Sequence, residues 1–247
     1  MIPKKINYIW LGGKELPVHA LMCINSWRRI MPNYEIVQWN EYNLPLAKIA
    51  EKNKFFAKCR KLKLWGFMSD YLRLRILYEY GGIYLDTDIE TLKPFDDLLQ
   101  NGYFMGYEVG DTTFGLGDYI GSGIIGAESH NNLIKRLLDF YEDEIWNSPF
   151  YVNTMIYKSV YLKDPDAFSH GSIYPIDYFS PFQWNEQPKD LVETDNTYSI
   201  HWYSKNWNMT RQGYVFLNTK HYMSRVEKVY QIIRKNLGYC KRKNSKS

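Results

Sequence analysis

The chain has 247 residues, 45% of them apolar, and a formal net charge of +4. This length and composition exclude a disordered or fibrous chain and fit one compact domain, 1–247, that needs no disulfide or metal staple to hold a core. The positive charge collects near the C-terminus, at Lys235, Lys241, Arg242, Lys243 and Lys246; a basic tail suits an anionic surface or is a solvated terminus, and nucleic acid is not an expected partner.

In chain order, Ile6–Trp10 is an apolar run that ends at Gly12-Gly13 and reads as a buried strand. His19–Ile30 places Leu21, Ile24 and Trp27 at helical spacing and is stopped by Pro32. Tyr34–Trp39 reads as a second strand, so the chain opens as βαβ, the signature of a parallel sheet covered by helices. Leu64–Tyr80 is the strongest helix, with Trp65, Met68, Leu72, Ile76 and Tyr80 three and four residues apart; Gly81-Gly82 ends it, because glycine accepts a left-handed cap. Ile83–Leu85 is then a short buried strand, and Asp86-Thr87-Asp88 falls at its carboxyl end, where ligands sit in open α/β sheets. Tyr103–Tyr107 and Gly121–Ala127 read as strands, Asn132–Trp146 as a helix with Leu133, Leu137, Phe140 and Tyr141 on one face, and Phe168–Trp184 as irregular. Ser199–Tyr203 is a last short strand. Residues 223–247 form a basic amphipathic segment in which Val226, Val229, Tyr230, Ile233 and Leu237 make an apolar stripe expected to pack on the domain. The charges after Gly238 are then expected to meet an anionic leaflet alone.

Two aspartates one residue apart at a strand end form a hard-oxygen site for Mg²⁺ or Mn²⁺. An ion there can bridge a nucleotide diphosphate and offset the charge of the departing group. Solvent-facing turn aspartates are the alternative. Asp70 and Arg73 share a face of the preceding helix; they read either as a helical ion pair or as groups that reach past the strand end to sugar hydroxyls. Dehalogenase-type phosphatases also place Asp-x-Asp after an apolar strand, but they need a hydroxylated residue four positions on, where this chain has Glu90, with Thr91 one place late. A binding protein without turnover is a further alternative. The small residues of Gly121-Ser122-Gly123 allow either close approach of a ligand or tight strand packing. Asp118 and Glu128 flank that run with no assigned role.

Cys23, Cys59 and Cys240 are odd in number and lack zinc-site spacing, which suits a reducing compartment. The start, Met-Ile-Pro-Lys-Lys, does not read as a signal peptide, and no run is long enough to span a membrane. The expectation is a cytoplasmic protein, or one peripheral to the inner face of a membrane. Aromatic residues reach 17%, with 22 Tyr; such rings stack on sugars and bases or fill cores.

Three segments together carry a resemblance: Ile2-Pro3-Lys4-Lys5-Ile6-Asn7-Tyr8-Ile9-Trp10-Leu11-Gly12-Gly13; Ser69-Asp70-Tyr71-Leu72-Arg73 through Gly81-Gly82-Ile83-Tyr84-Leu85-Asp86-Thr87-Asp88; and His201-Trp202-Tyr203-Ser204-Lys205-Asn206-Trp207. With them the chain resembles glycosyltransferase family 32 and, more distantly, the catalytic domain of the large glucosylating toxins. The resemblance implies a GT-A fold, a mostly parallel sheet flanked by helices, with Mn²⁺ or Mg²⁺, a nucleotide-sugar donor (UDP-linked), and retention of anomeric configuration. It implies that Trp10, Asp70, Arg73, Tyr84, Asp86, Ser122, Gly123 and Trp207 bind the donor, with Trp10 beside the base and Trp207 over the diphosphate. Asp70, Arg73, Asp86 and Asp88 would be the catalytic set, and Asp86, Asp88 and His201 the metal ligands. Two positions depart from the family pattern: Asn7 replaces His, and Asn206 replaces Ser before the last Trp. The implied acceptor is a glycan, lipid-linked or free, in surface polysaccharide synthesis; a protein acceptor is the alternative.

Overall fold

The computed structural model describes residues 1–110, 117–183, 186, 192–204 and 209–244, the last five of these for backbone alone. The chain opens as expected, with β1 (Lys5–Ile9), α1 (Val18–Ile30) and β2 (Glu35–Trp39), and β1 pairs in parallel with β2. Helix α1 buries Ala20, Cys23, Ile24 and Trp27. Leu21, expected on that face, is 43% exposed; the helix is rotated so that the Trp27 indole donates to the Ile89 carbonyl at 2.7 Å. Two short helices that the periodicity did not show follow, α2 (Leu46–Lys52) and α3 (Lys54–Lys61). Asn53 joins them and caps α3 by accepting from Phe56 N.

Helix α4 (Trp65–Tyr80) buries Asp70 and Arg73 along with its apolar residues. Gly81 and Gly82 both take positive φ, 64° and 98°. A Cβ on Gly82 would stand 2.6 Å from the Lys5 carbonyl, so glycine is what lets β3 (Gly82–Leu85) lie against β1. The strand feeds both faces of the sheet: Tyr84 enters one apolar core, Ile83 and Leu85 the other, as strand alternation requires.

The rest of the sheet is β5 (Tyr103–Glu108), β6 (Tyr119–Ile120), β7 (Ile124–Ala127) and β8 (Ser172–Tyr174). The seven-stranded order is β2-β1-β3-β7-β5-β6, with β8 on β5. β7 runs antiparallel to both β3 and β5, and β6 antiparallel to β5. The other five strands, β1, β2, β3, β5 and β8, therefore share one direction. The sheet is mostly parallel and flanked by helices, the α/β architecture expected of the GT-A type. The predicted strand Gly121–Ala127 is shorter than its apolar run because Gly121-Ser122-Gly123 leaves the ladder, with Gly121 N–H donating to Gly106 O and Gly123 O accepting from Asp86 N, both at 2.8 Å.

Beyond the sheet, β4 (Ile89–Thr91) pairs antiparallel with β9 (Ser199–His201). Helix α5 (Asn132–Asp139) runs into a π-helical turn at Phe140–Glu144, and α6 (Asn153–Lys163) follows. The stretch 168–183, expected to be irregular, contains β8 and the one-turn helix α7 (Ile176–Phe179). Its rings serve the core: Phe179 stacks on Phe104 and Tyr178 on Tyr198; Trp184 lies outside the described residues.

The chain ends in α8 (Arg211–Thr219) and α9 (Arg225–Asn244). The apolar stripe of α9 does not pack on the domain: Val226, Val229, Tyr230, Ile233 and Leu237 are 57–82% exposed. The face that α9 turns to α8 is polar and aromatic instead. Arg211 Nε donates to Asn236 Oδ1 at 2.8 Å, the Tyr214 and Tyr239 rings meet, and Tyr239 OH donates to Met209 O. Among the described residues, no helix is long and apolar enough to cross a membrane.

Candidate active site

The site forms at the carboxyl end of β3. Asp86 and Asp88 lie in the turn that leaves it, closed by Ile89 N donating to Asp86 O at 3.1 Å. The β4–β9 ladder then sets Ile89 opposite His201, while Trp202 N donates to the Asp88 carbonyl at 3.0 Å. A histidine distant in sequence is thus fixed beside the aspartate pair by backbone pairing. Asp86, Asp88 and His201 each offer a ligand atom within 4.8 Å of the others. His201 Nε2 is 3.5 Å from Asp88 Oδ1.

The surroundings hold these groups in place. Arg73 Nη2 donates to Asp70 Oδ1 at 2.9 Å, and Nη1 donates to Asp86 Oδ2 at 3.3 Å and to the Ser122 carbonyl at 2.5 Å. The Tyr84 hydroxyl donates to Asp86 Oδ1 at 2.8 Å, and the Arg73 guanidinium lies over its ring. Asp70 and Arg73 form the helical ion pair, and Arg73 also reaches Asp86 at the strand end. Their side chains are only 1% and 2% exposed, because α4 runs beneath the strand end and Arg73 bridges it from below. Asp70 Oδ2 is buried without a hydrogen-bond partner.

Tyr203 adopts a left-handed φ of 49°, uncommon for a bulky residue. Its ring stacks on His201 with centroids 3.9 Å apart, and the turn aims Ser204 N–H at Asp88 Oδ2, 2.8 Å away. Although burial alone would raise its pKa, His201 and this N–H hold the Asp88 carboxyl down at about 2, so it is ionised at neutral pH. Burial and neighbouring Asp88 push the Asp86 carboxyl up, against the pull of Arg73. Burial opposes charge on His201, but Asp88 and Glu108 outweigh it and raise the imidazole to about 10. In the metal-free protein Arg73 and His201 are the cations that the aspartates face, and a metal ion would displace the Nε2 proton of His201.

Gly123 leaves room for an ion: a Cβ there would stand 3.1 Å from His201 Cε1 and 3.4 Å from Asp86 Oδ2. The two carboxylates suit Mn²⁺ or Mg²⁺, while the imidazole is a ligand that the harder Mg²⁺ takes less readily, so the residues present fit Mn²⁺ better than Mg²⁺. Ser122 contributes its carbonyl, to Arg73. Trp10 follows the adjacent β1, and its indole donates to Lys14 O at 2.6 Å; none of the bonds above reaches it. Trp207 lies outside the described residues. Glu90, where a phosphatase of the dehalogenase type needs a hydroxyl, accepts from the Trp202 indole at 3.0 Å.

Sequence reasoning missed Glu108, whose Oε1 faces His201 Nδ1 at 3.5 Å. The signal was a carboxylate ending the run Tyr103-Phe104-Met105-Gly106-Tyr107-Glu108 at the same sheet edge. Of the two flanking acids, Asp118 is exposed just before β6, whose Tyr119 pairs with Glu108 at the same sheet edge, and Glu128 follows the opposite end of β7, since Leu85 pairs with Ile124 and Gly82 with Ala127.

Residues 17–105 match the model of the glycosyltransferase sugar-binding region containing a DXD motif, and Asp70, Arg73, Asp86 and Asp88 lie inside the matched span. Among curated proteins, the chain is 27% identical over 164 residues to subversion of eukaryotic traffic protein A of Legionella pneumophila, covering 57% of this chain and 25% of that one. It is 29% identical over 108 residues to inositol phosphoceramide mannosyltransferase 1 of Schizosaccharomyces pombe, covering 42% and 33%. The chain thus spans a quarter to a third of these relatives' lengths. Among solved structures, PaToxG glycosyltransferase aligns with a TM-score of 0.48 at 16% identity, over 66% of this chain and 70% of that one.

Proposed function

We propose that this chain, as one GT-A type domain, transfers a sugar from a nucleotide-sugar donor, UDP-linked, to a glycan or lipid-linked glycan acceptor in surface polysaccharide synthesis, with retention of configuration. The observation that carries this reading is the convergence of Asp86, Asp88 and His201 at the carboxyl edge of the sheet. Mn²⁺ or Mg²⁺ bound there would offset the charge of the departing nucleoside diphosphate. The protein's own part is positioning: Arg73 and Tyr84 fix Asp86, and Ser204 N–H with His201 keeps Asp88 ionised. Trp10 and Trp207 are assigned to the donor base and diphosphate, and Ser122 and Gly123 to the approach of the donor sugar. In this reading the leaving phosphate guides the acceptor hydroxyl, and rate comes from orientation and fixed charge. The test is donor hydrolysis without acceptor, with a panel of nucleotide sugars and Mn²⁺. Release of free sugar that stops with EDTA is expected; binding without any turnover would leave a nucleotide-sugar-binding protein.

The exposed stripe of α9 supports a peripheral site of action at an anionic inner leaflet. Its apolar side chains can enter the interface, and nearby Lys and Arg add roughly 1 kcal/mol each. Full-length protein is expected to sediment with anionic vesicles at low salt, and Val229→Asp with Ile233→Asp to abolish this. No sedimentation at low salt would discard the membrane contact.

A further inference from the structure

Glu108 has no part in the roles assigned above, yet it is the acid that faces the far side of the histidine. We infer that Glu108 is the positioning residue of the metal centre: it receives the Nδ1–H of His201 and so directs Nε2 at Asp86 and Asp88. The inference rests on the reading of His201 as a metal ligand. Three observations carry it. His201 lies between two carboxylates, with Nε2 3.5 Å from Asp88 Oδ1 and Nδ1 3.5 Å from Glu108 Oε1. The Nδ1 atom is buried and makes no hydrogen bond in this geometry, so a small adjustment of Glu108, its nearest carboxylate, would complete it. Thirdly, the chain makes room for this carboxylate: a Cβ on Gly121 would stand 2.8 Å from Glu108 Oε1. The run Gly121-Ser122-Gly123 therefore admits Glu108 at one end and the His201 ring and Asp86 carboxylate at the other, with the Arg73 bond to the Ser122 carbonyl between them.

The chemistry requires such a group. An imidazole that binds a metal through Nε2 must carry its proton on Nδ1, and an acceptor there fixes both tautomer and ring orientation. The stacked ring of Tyr203 restrains tilt of the imidazole but cannot select a nitrogen. The carboxylate of Glu108 does.

The experiment is titration of Mn²⁺ alone into the metal-free protein, followed by electron paramagnetic resonance, for wild type, Glu108→Ala, Glu108→Gln and His201→Ala. Melting temperatures of the metal-free proteins are measured alongside. Glu108→Ala is expected to weaken Mn²⁺ binding roughly 10–100-fold, the usual loss for an outer-shell partner. Glu108→Gln, whose amide oxygen still accepts from Nδ1–H, should recover most of it. A purely structural Glu108 would lower the melting temperature and leave the Mn²⁺ affinity of the folded protein unchanged, which overturns the inference. Equal losses in the Ala and Gln variants would overturn it too, because bulk negative charge and not the hydrogen bond would then be what matters. If His201→Ala binds Mn²⁺ as wild type does, or wild type binds none, the metal reading fails and this inference falls with it.

Discussion

Asp88→Asn is expected to lose metal-dependent transfer by on the order of 10²–10⁴-fold in kcat/KM, since metal charge stabilisation amounts to several kcal/mol. The fold should survive. Asp88 belongs to a turn, its side chain is 15% exposed, and Asn can still accept from Ser204 N–H. What the substitution removes is the anion that faces the His201 Nε2 and, in the proposed site, the ion. Unchanged circular dichroism with lost activity is the expected pair of results. Full activity of the variant in EDTA would rule out a metal mechanism.

Arg73→Met is expected to have the largest effect on stability. The guanidinium is buried and joins Asp70, Asp86 and the Ser122 carbonyl. Removing one partner of a buried ion pair costs about 3–5 kcal/mol, because it leaves uncompensated charge. For a domain of this size that lowers Tm by roughly 6–20 °C. Arg73→Lys should recover only part, since a point charge cannot serve three acceptors in a fixed fork. Removing one of the two stranded carboxylates with Asp70→Asn in the Arg73→Met background should raise Tm again, and calorimetry of the three variants checks this. An Arg73→Met protein as stable as wild type, with only its donor KM raised, would show that the residue serves the donor and not the fold.

The opening βαβ, α4, the double glycine and the Asp-x-Asp turn were legible because each is a local signal: a period, a cap or a strand end. The geometry around them was not local. Nothing in the spacing of Asp70 and Arg73 tells that α4 passes beneath the strand end and buries both. Strand β4 is three residues long and shows no alternation of its own, so its pairing with β9 was not legible, and the resemblance implied only that His201 is a ligand. Glu108 was hidden for the same reason: its partner comes from a strand far along the chain. The stripe of α9 was legible as a stripe, but not its exposure, because that depends on α8 offering Arg211, Tyr214 and the Met209 carbonyl as its contact surface. Helices α2, α3, α6 and α8 were not recognised at all; α6 mixes Tyr and Lys with Ile and Val on every side, so no single face announces it.

In the proposed site, Asp86, Asp88 and His201 hold a divalent ion needed to bind the nucleotide diphosphate. The most direct measurement is the melting temperature with UDP alone, Mn²⁺ alone and both together, in wild type and His201→Ala. A ligand at about 100 times its Kd stabilises the native state by about 2.7 kcal/mol. Wild type should therefore gain several degrees with both present, much less with UDP and EDTA, and His201→Ala should lose the difference. An equal rise with UDP in the presence of EDTA, retained in His201→Ala, would contradict the account.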